Sequence, residues 1–152
     1  MPSLFTEDTY EQAIIELFEN MGYNHLYAPD MNRDYSSPLL DDELRNSLVR
    51  INRSLPVEAI DEALAKLKNF DTGSLLQKNM IFMDYLQNGI TVKFFVKGEE
   101  RSSIVQLVDY QNINGNSFYV VNQFTFLENG NNRRPDIILF INGLPLVLME
   151  LK

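Results

Sequence analysis

Three charged residues stand at the ends of two of the most apolar segments of the chain. Asp136 opens the expected strand Asp136–Ile141, and Glu150 and Lys152 close the expected strand Leu144–Lys152, the two joined through Asn142-Gly143. An unpaired charge is costly to bury, so such residues belong at a rim or in a polar site. Two carboxylates and an ammonium on one face make a site for a hard cation. Magnesium takes carboxylate oxygens and keeps several of its waters. An ion held by Asp136 and Glu150 would polarise a phosphate ester and lower the pKa of a bound water. Lys152 would orient that water or stabilise charge on the transition state.

Whether these residues share a face depends on the turn between the two segments. In an antiparallel hairpin, directly opposed residues lie on the same face. A bulged three-residue loop, Ile141-Asn142-Gly143, would set Phe140 opposite Leu144 and Asp136 opposite Leu148. Asp136, Leu148, Glu150 and Lys152 would then lie together at one end. A tight two-residue turn at Asn142-Gly143 shifts the register by one and sends Asp136 to the other face. The chemical reading therefore expects the bulged turn, or an equivalent irregularity near Asp136.

The elements that must position this end are readable from pattern. A helix is expected over Thr6–Met21, with Thr6 as its cap and Glu7 and Asp8 in the first turn. Ile14, Phe18 and Met21 form its buried stripe with Leu17 beside them, and Gly22 ends it. Glu11 falls on the same stripe, so this carboxylate faces inward. Asn24–Leu39 reads as mostly loop. Three further helices are expected. Asp41–Leu55 carries Leu44, Leu48, Ile51 and Leu55. Pro56–Phe70 carries Ile60, Leu64 and Leu67. Ser74–Asn88 opens with the capping-box pair Ser74 and Gln77 and closes before Gly89. From Ile90 the period becomes two, giving a strand to Val96, a charged turn at Gly98–Arg101 and a second strand over Ser103–Val108. After an Asn-rich turn at Asn112–Asn116 come a strand at Ser117–Phe126, a polar loop at Glu128–Asn132 and the two closing strands. Those two are apolar on both faces, so both are expected to be central and covered. Helices first and strands later make an α+β pattern with a mixed or antiparallel sheet.

With 152 residues, ten Phe and seven Tyr, the chain suits one domain with a real core. The absence of cysteine excludes a disulfide framework, a thiolate zinc site and a cysteine nucleophile. No segment is long and apolar enough to span a membrane, and Met1–Tyr10 lacks the build of a secretory signal, so a cytoplasmic location is expected. The net charge of −8 argues against a stand-alone binder of duplex, whose affinity comes from Lys and Arg neutralising phosphates. A bound divalent cation would offset the acids locally, and other domains or subunits would supply the grip.

Pro135-Asp136 followed by Glu150-Leu151-Lys152 fits the PD-(D/E)xK nuclease pattern. The run RRPDIILFINGLPLVLMELK resembles the signature of the type I restriction endonuclease R subunit. The likeness extends to TEDTYEQAIIELFENMGY near the start and to NSFYVVNQFTF before the signature. It implies a restriction-endonuclease-like α/β domain, a mixed central sheet flanked by helices, with additional helices inserted after the first. It implies Mg²⁺, with Mn²⁺ as a substitute, on Asp136 and Glu150 with the Leu151 carbonyl, and Lys152 assisting the attacking water. Related nucleases, including archaeal Holliday junction resolvases, add a first-helix glutamate shortly before a Gly-aromatic pair. Glu11, ahead of Gly22-Tyr23, matches it. The reaction implied is hydrolysis of double-stranded DNA within a complex that includes methyltransferase and specificity subunits. It would be driven by ATP at motor domains of the same subunit. No GxxxxGK[ST] loop occurs in this chain, so ATP would be bound elsewhere. Residues 1–152 are thus expected to be a single nuclease domain, the N-terminal part of a larger subunit.

Blander readings stand beside these. A lone Pro-Asp is ordinary turn chemistry, and a lone Glu-x-Lys is an ordinary strand end; it is their combination that points to a site. Arg133 and Arg134 would contact phosphate or form salt bridges. Gln123 would approach DNA at the site or make a strand hydrogen bond. His25, the only histidine, reads as a satisfied loop residue, Asp109 as a turn cap, and the aromatics of Phe118–Phe126 as core. Two other functions remain open: a docking module with a silent site, and a stand-alone structure-specific nuclease.

Overall fold

The computed structural model describes residues 6–69, 73–128 and 130–151. It divides into two compact units, residues 1–44 with 117–152, and residues 45–116.

The first unit opens with helix α1, Glu7–Asn20. Thr6 caps it, its hydroxyl accepting from the Thr9 N–H at 3.2 Å, a device worth about 1 kcal/mol. Gly22, at φ +102°, reverses the chain. The inward stripe of α1 is Glu11, Ile14, Ile15 and Phe18, with Glu11 and Ile15 buried. This corrects the expected stripe: Leu17 and Met21 are 56% and 64% exposed. Spacings of three and four from Glu11 reach Ile14, Ile15 and Phe18, and Leu17 and Met21 fall to one side of that line.

The chain then forms strand β1, Asn24–Tyr27, and a 3-10 turn at Ala28–Asp30, where sequence pattern suggested loop. β1 runs parallel to β4, Phe118–Asn122. β4 is antiparallel to β7, Ile137–Ile141, which is antiparallel to β8, Leu144–Met149. The order β1-β4-β7-β8 makes a mixed four-stranded sheet. Its α1 face buries Ile15, Val120, Ile137 and Leu139. The opposite face buries Ala28, Leu40, Val121, Phe124, Ile138 and Phe140. β7 is central as expected. β8 is not: it has one hydrogen-bonded neighbour among the described residues, and Val147 and Leu148 are 43% and 53% exposed. The expected long strand over Ser117–Phe126 is also broken. β4 stops at Asn122, and a separate small hairpin follows, β5, Phe126–Glu128, with β6, Asn131–Arg133, where a polar loop was expected. The same unit holds Arg33, whose guanidinium lies 3.8 Å from the Phe124 ring centroid and 4.4 Å from that of Tyr35. Burial pulls its pKa below the ordinary value, opposed by Tyr35 and Asp34.

Between β1 and β4 the sequence inserts three helices: α2, Asp41–Ile51; α3, Val57–Lys68; and α4, Leu75–Asn88. α2 ends at Ile51 rather than Leu55, and Pro56 caps α3 from outside. Phe70, the expected end of α3, lies outside the described residues. In the second unit, α3 buries Ala59, Ile60, Ala63 and Leu67. α4 has its capping box, Ser74 with Gln77, and its Gly89 terminus. α4 buries no residue fully. The unit's hairpin pairs β2, Ile90–Val96, with β3, Glu99–Val105. Its turn is Lys97-Gly98, both at positive φ, so β3 begins at Glu99, inside the charged turn Gly98–Arg101 read from sequence. Asp109 caps the following turn, accepting from the Gln111 and Asn112 N–H groups at 3.1 and 2.9 Å. The whole is α/β, with a mixed sheet and inserted helices of restriction-endonuclease-like type.

Candidate active site

Asp136 stands one residue before β7, and Glu150 one residue after β8. The turn joining these strands is the tight one, Asn142-Gly143 between the paired Ile141 and Leu144. Both residues have positive φ, +54° and +84°, which matches the twist of the flanking strands. The expected three-residue loop is therefore corrected. A regular ladder from this turn would set Asp136 opposite Met149. The ladder is not regular. Phe140 pairs with Pro145 but Leu139 pairs with Val147, so Leu146 is an extra residue on β8. Beyond this bulge Ile138 pairs with Leu148 and Ile137 with Met149. One further step sets Asp136 across from Glu150. The bulge thus supplies the irregularity that the sequence reading required, at another place.

The turn is anchored from both sides. The buried Asn142 accepts from the Ser117 N–H through its side chain at 2.8 Å, and its own N–H donates to the Ser117 carbonyl at 2.9 Å. A Cβ on Gly143 would come within 2.6 Å of the Leu44 nitrogen and 2.7 Å of the Leu40 oxygen. Backbone packs where a side chain would stand, so only glycine fits.

A cavity of about 610 Å³ opens beside the Asp136 end. It is lined by Glu7, Asp8, Glu11 and Gln12 from α1, His25 and Tyr27 from β1, and Asn122, Gln123 and Asp136. The Asp136 carboxylate accepts from the Leu151 N–H at 2.7 Å. The Glu11 carboxylate, 7% exposed, accepts from the Gln123 side-chain amide at 2.6 Å. The Gln123 N–H in turn donates to the Asp136 carbonyl at 3.1 Å. His25 Nε2 and Asn122 Oδ1 are 2.7 Å apart. Four carboxylates around one cavity, with no lysine or arginine in its wall among the described residues, give a field that attracts cations and repels phosphate.

Of the residues singled out from sequence, the structure brings Glu11, Gln123 and Asp136 into one cavity and places Leu151 in contact with Asp136. Glu150 is exposed at the same end of the hairpin and is not part of the cavity wall. Arg133, the last residue of β6, and Arg134 after it are exposed. Lys152 lies outside the described residues. Among the described residues, no group of three or more His, Asp or Glu side chains is placed to hold a metal ion together. The sequence reading missed His25, Tyr27 and Asn122 as wall residues. Their signal was weak: β1, which carries His25 and Tyr27, is four residues long and begins two residues after the helix-ending Gly22, and Asn122 ends β4 within a run that read as one strand to Phe126.

Comparison with known proteins agrees with the resemblance in the sequence. The family described as "Type I restriction enzyme R protein N terminus" matches residues 4–152. A type I restriction enzyme HindI endonuclease subunit from Haemophilus influenzae is 32% identical over 98% of this chain and 15% of its own length. The putative type I restriction enzyme MjaIXP and MjaVIIIP endonuclease subunits of Methanocaldococcus jannaschii are 32% and 34% identical, over 93% and 100% of this chain and 14% of their own lengths. The chain spans about 15% of the length of the first of these relatives. No helix among the described residues is long and apolar enough to cross a membrane. The chain belongs to the family of type I restriction enzyme R protein N termini.

Proposed function

We propose that residues 1–152 act as a single nuclease domain of a type I restriction R subunit, hydrolysing phosphodiester bonds of double-stranded DNA with Mg²⁺. The observation that carries this reading is the convergence of Glu11 and Asp136, from helix and hairpin, on one acidic cavity. The β8 bulge adds Glu150 to the same hairpin end. The donor chemistry fits a hard cation. Glu11 and Asp136 each receive one N–H from the protein, and a carboxylate so held keeps acceptor capacity for a further ligand.

Mg²⁺ when bound supplies Lewis acidity and a water of lowered pKa. The residues that would hold it are Asp136, Glu150 and the Leu151 carbonyl, with Glu11 holding the ion or the attacking water. The Leu151 N–H fixes the Asp136 carboxylate, so less reorganisation is needed when charge develops. Lys152 orients the attacking water. Arg133 and Arg134 take the phosphate flanks, a role that offsets the acidic cavity.

Sequence recognition belongs to a specificity subunit and modification to a methyltransferase subunit. ATP is consumed by motor domains of the same subunit, and the assembly is cytoplasmic. The relatives' names as endonuclease subunits and their much greater length support this division.

The test is a calorimetric Mn²⁺ titration of the protein beside Asp136→Asn, with folding matched by circular dichroism. Binding by the parent that the variant loses supports the reading. Equal binding by both places the ion elsewhere and removes its basis. A docking module with a silent site binds no Mn²⁺ in either form.

A further inference from the structure

We infer that Gln123 is a positioning residue: its side-chain amide fixes the Glu11 carboxylate, and its left-handed backbone is a strain kept for that purpose. This rests on the nuclease reading above and adds a component to it.

Gln123 stands where β4 ends, at φ +58°. That conformation is natural for glycine and tolerated by asparagine, but disfavoured for a long side chain. A break that only had to turn the chain would be met by glycine without strain. The break here does something more specific. Val121 and Phe124, three residues apart, lie in the same buried cluster, whereas strict alternation would pair Val121 with residue 123. The left-handed residue resets the alternation by one. Phe124 drops into the core, fully buried, and Gln123 is released into the cavity.

Gln123 joins the two acids there. Its Nε2 donates to Glu11 Oε1 at 2.6 Å, and its backbone N–H donates to the Asp136 carbonyl at 3.1 Å. Glu11 rides on a helix and Asp136 on a hairpin, and this one residue bonds both. A donor of this kind sets the direction of a ligand carboxylate, as outer partners do for metal ligands generally. Backbone strain held at such a point fits a functional role.

The experiment compares the parent with Gln123→Gly and Gln123→Leu by Mn²⁺ calorimetry and thermal melting. Glycine accepts the backbone without strain and lacks the amide. Leucine keeps the strain and bulk but has no donor. The expected result is that Gln123→Gly melts at or above the parent, while both variants lose Mn²⁺ affinity by roughly ten-fold or more. A residue that is merely structural would show the reverse pattern, lower melting with intact binding. Parental affinity in Gln123→Gly overturns the inference and leaves the metal site standing. A parent that binds no Mn²⁺ overturns both the inference and the metal-dependent reading. Melting of Gln123→Gly well below the parent overturns the claim of stored strain, and the inference with it. Should Gln123→Leu fail to fold, Gln123→Gly decides alone.

Discussion

The two larger hairpins of this protein share a turn and differ in everything the turn must do. β2 and β3 meet at Lys97-Gly98, β7 and β8 at Asn142-Gly143, and all four residues have positive φ. The first hairpin runs seven pairs without a shift, from Ile90 with Val105 to Val96 with Glu99. Its β2 strand alternates buried and exposed as a one-sided sheet should. The second is buried on both faces of β7 and is interrupted by a bulge. The same local solution therefore serves two ends. A regular ladder is enough to cover a core. Bringing two acids from different strands to one place needs the register to slip once, and the bulge is where it slips.

The turns themselves can be used to break this contrast. Gly143→Ala carries the largest expected cost. It combines left-handed strain of ~1–2 kcal/mol with ~1–3 kcal/mol for driving a Cβ into backbone, since Leu40 and Leu44 leave it no room. Gly98→Ala meets nothing within 4 Å and should lose only the strain. Chemical denaturation of the two variants would measure the gap. A similar loss in both would mean that the Gly143 packing is not tight.

Ile137→Ala comes next, removing a fully buried side chain at ~2–5 kcal/mol. The loss falls on the pair next to Asp136, so the variant should also weaken Mn²⁺ binding. Val92→Ala, equally buried in the other hairpin, should destabilise without touching binding.

Asn142→Ala should cost ~1–3 kcal/mol, because it leaves the Ser117 N–H without its side-chain acceptor. Lys97→Ala, with the same sign of φ and an exposed position, should change stability by less than ~0.5 kcal/mol. Equal effects in melting curves would contradict the assignment of Asn142 as an anchor.

Much of this was legible in the sequence where local chemistry is strong. Thr6 ahead of Glu7 and Asp8, and Ser74 with Gln77, each carry a mechanism in a few residues, and each stands in the structure; Asn142-Gly143 marked the place of the closing turn but not its length. The inward turn of Glu11 followed from helical spacing alone. What escaped depended on partners distant in sequence. β1 has only Asn24–Tyr27 to announce it and exists because β4 pairs with it. The end of β4 was invisible because Asn-Gln-Phe reads as strand, and nothing local marks Gln123 as left-handed. β8 looked central because its residues are apolar, but among the described residues it pairs with β7 alone, and Val147 and Leu148 stay exposed. The bulge was anticipated as a need and misplaced as a position, because parity fixes only that a slip occurs.

The most direct test of the central claim is Mn²⁺ added stepwise to ¹⁵N-labelled protein, with amide signals followed by NMR. A paramagnetic ion broadens the amides nearest to it. With the ion at Asp136, the amides of Gln123, Ile137 and Leu151 broaden first, while those of Phe118 and Ile141, at the far end of the same sheet, stay sharp. Early loss of the Phe118 and Ile141 signals, or uniform broadening of all, would contradict it.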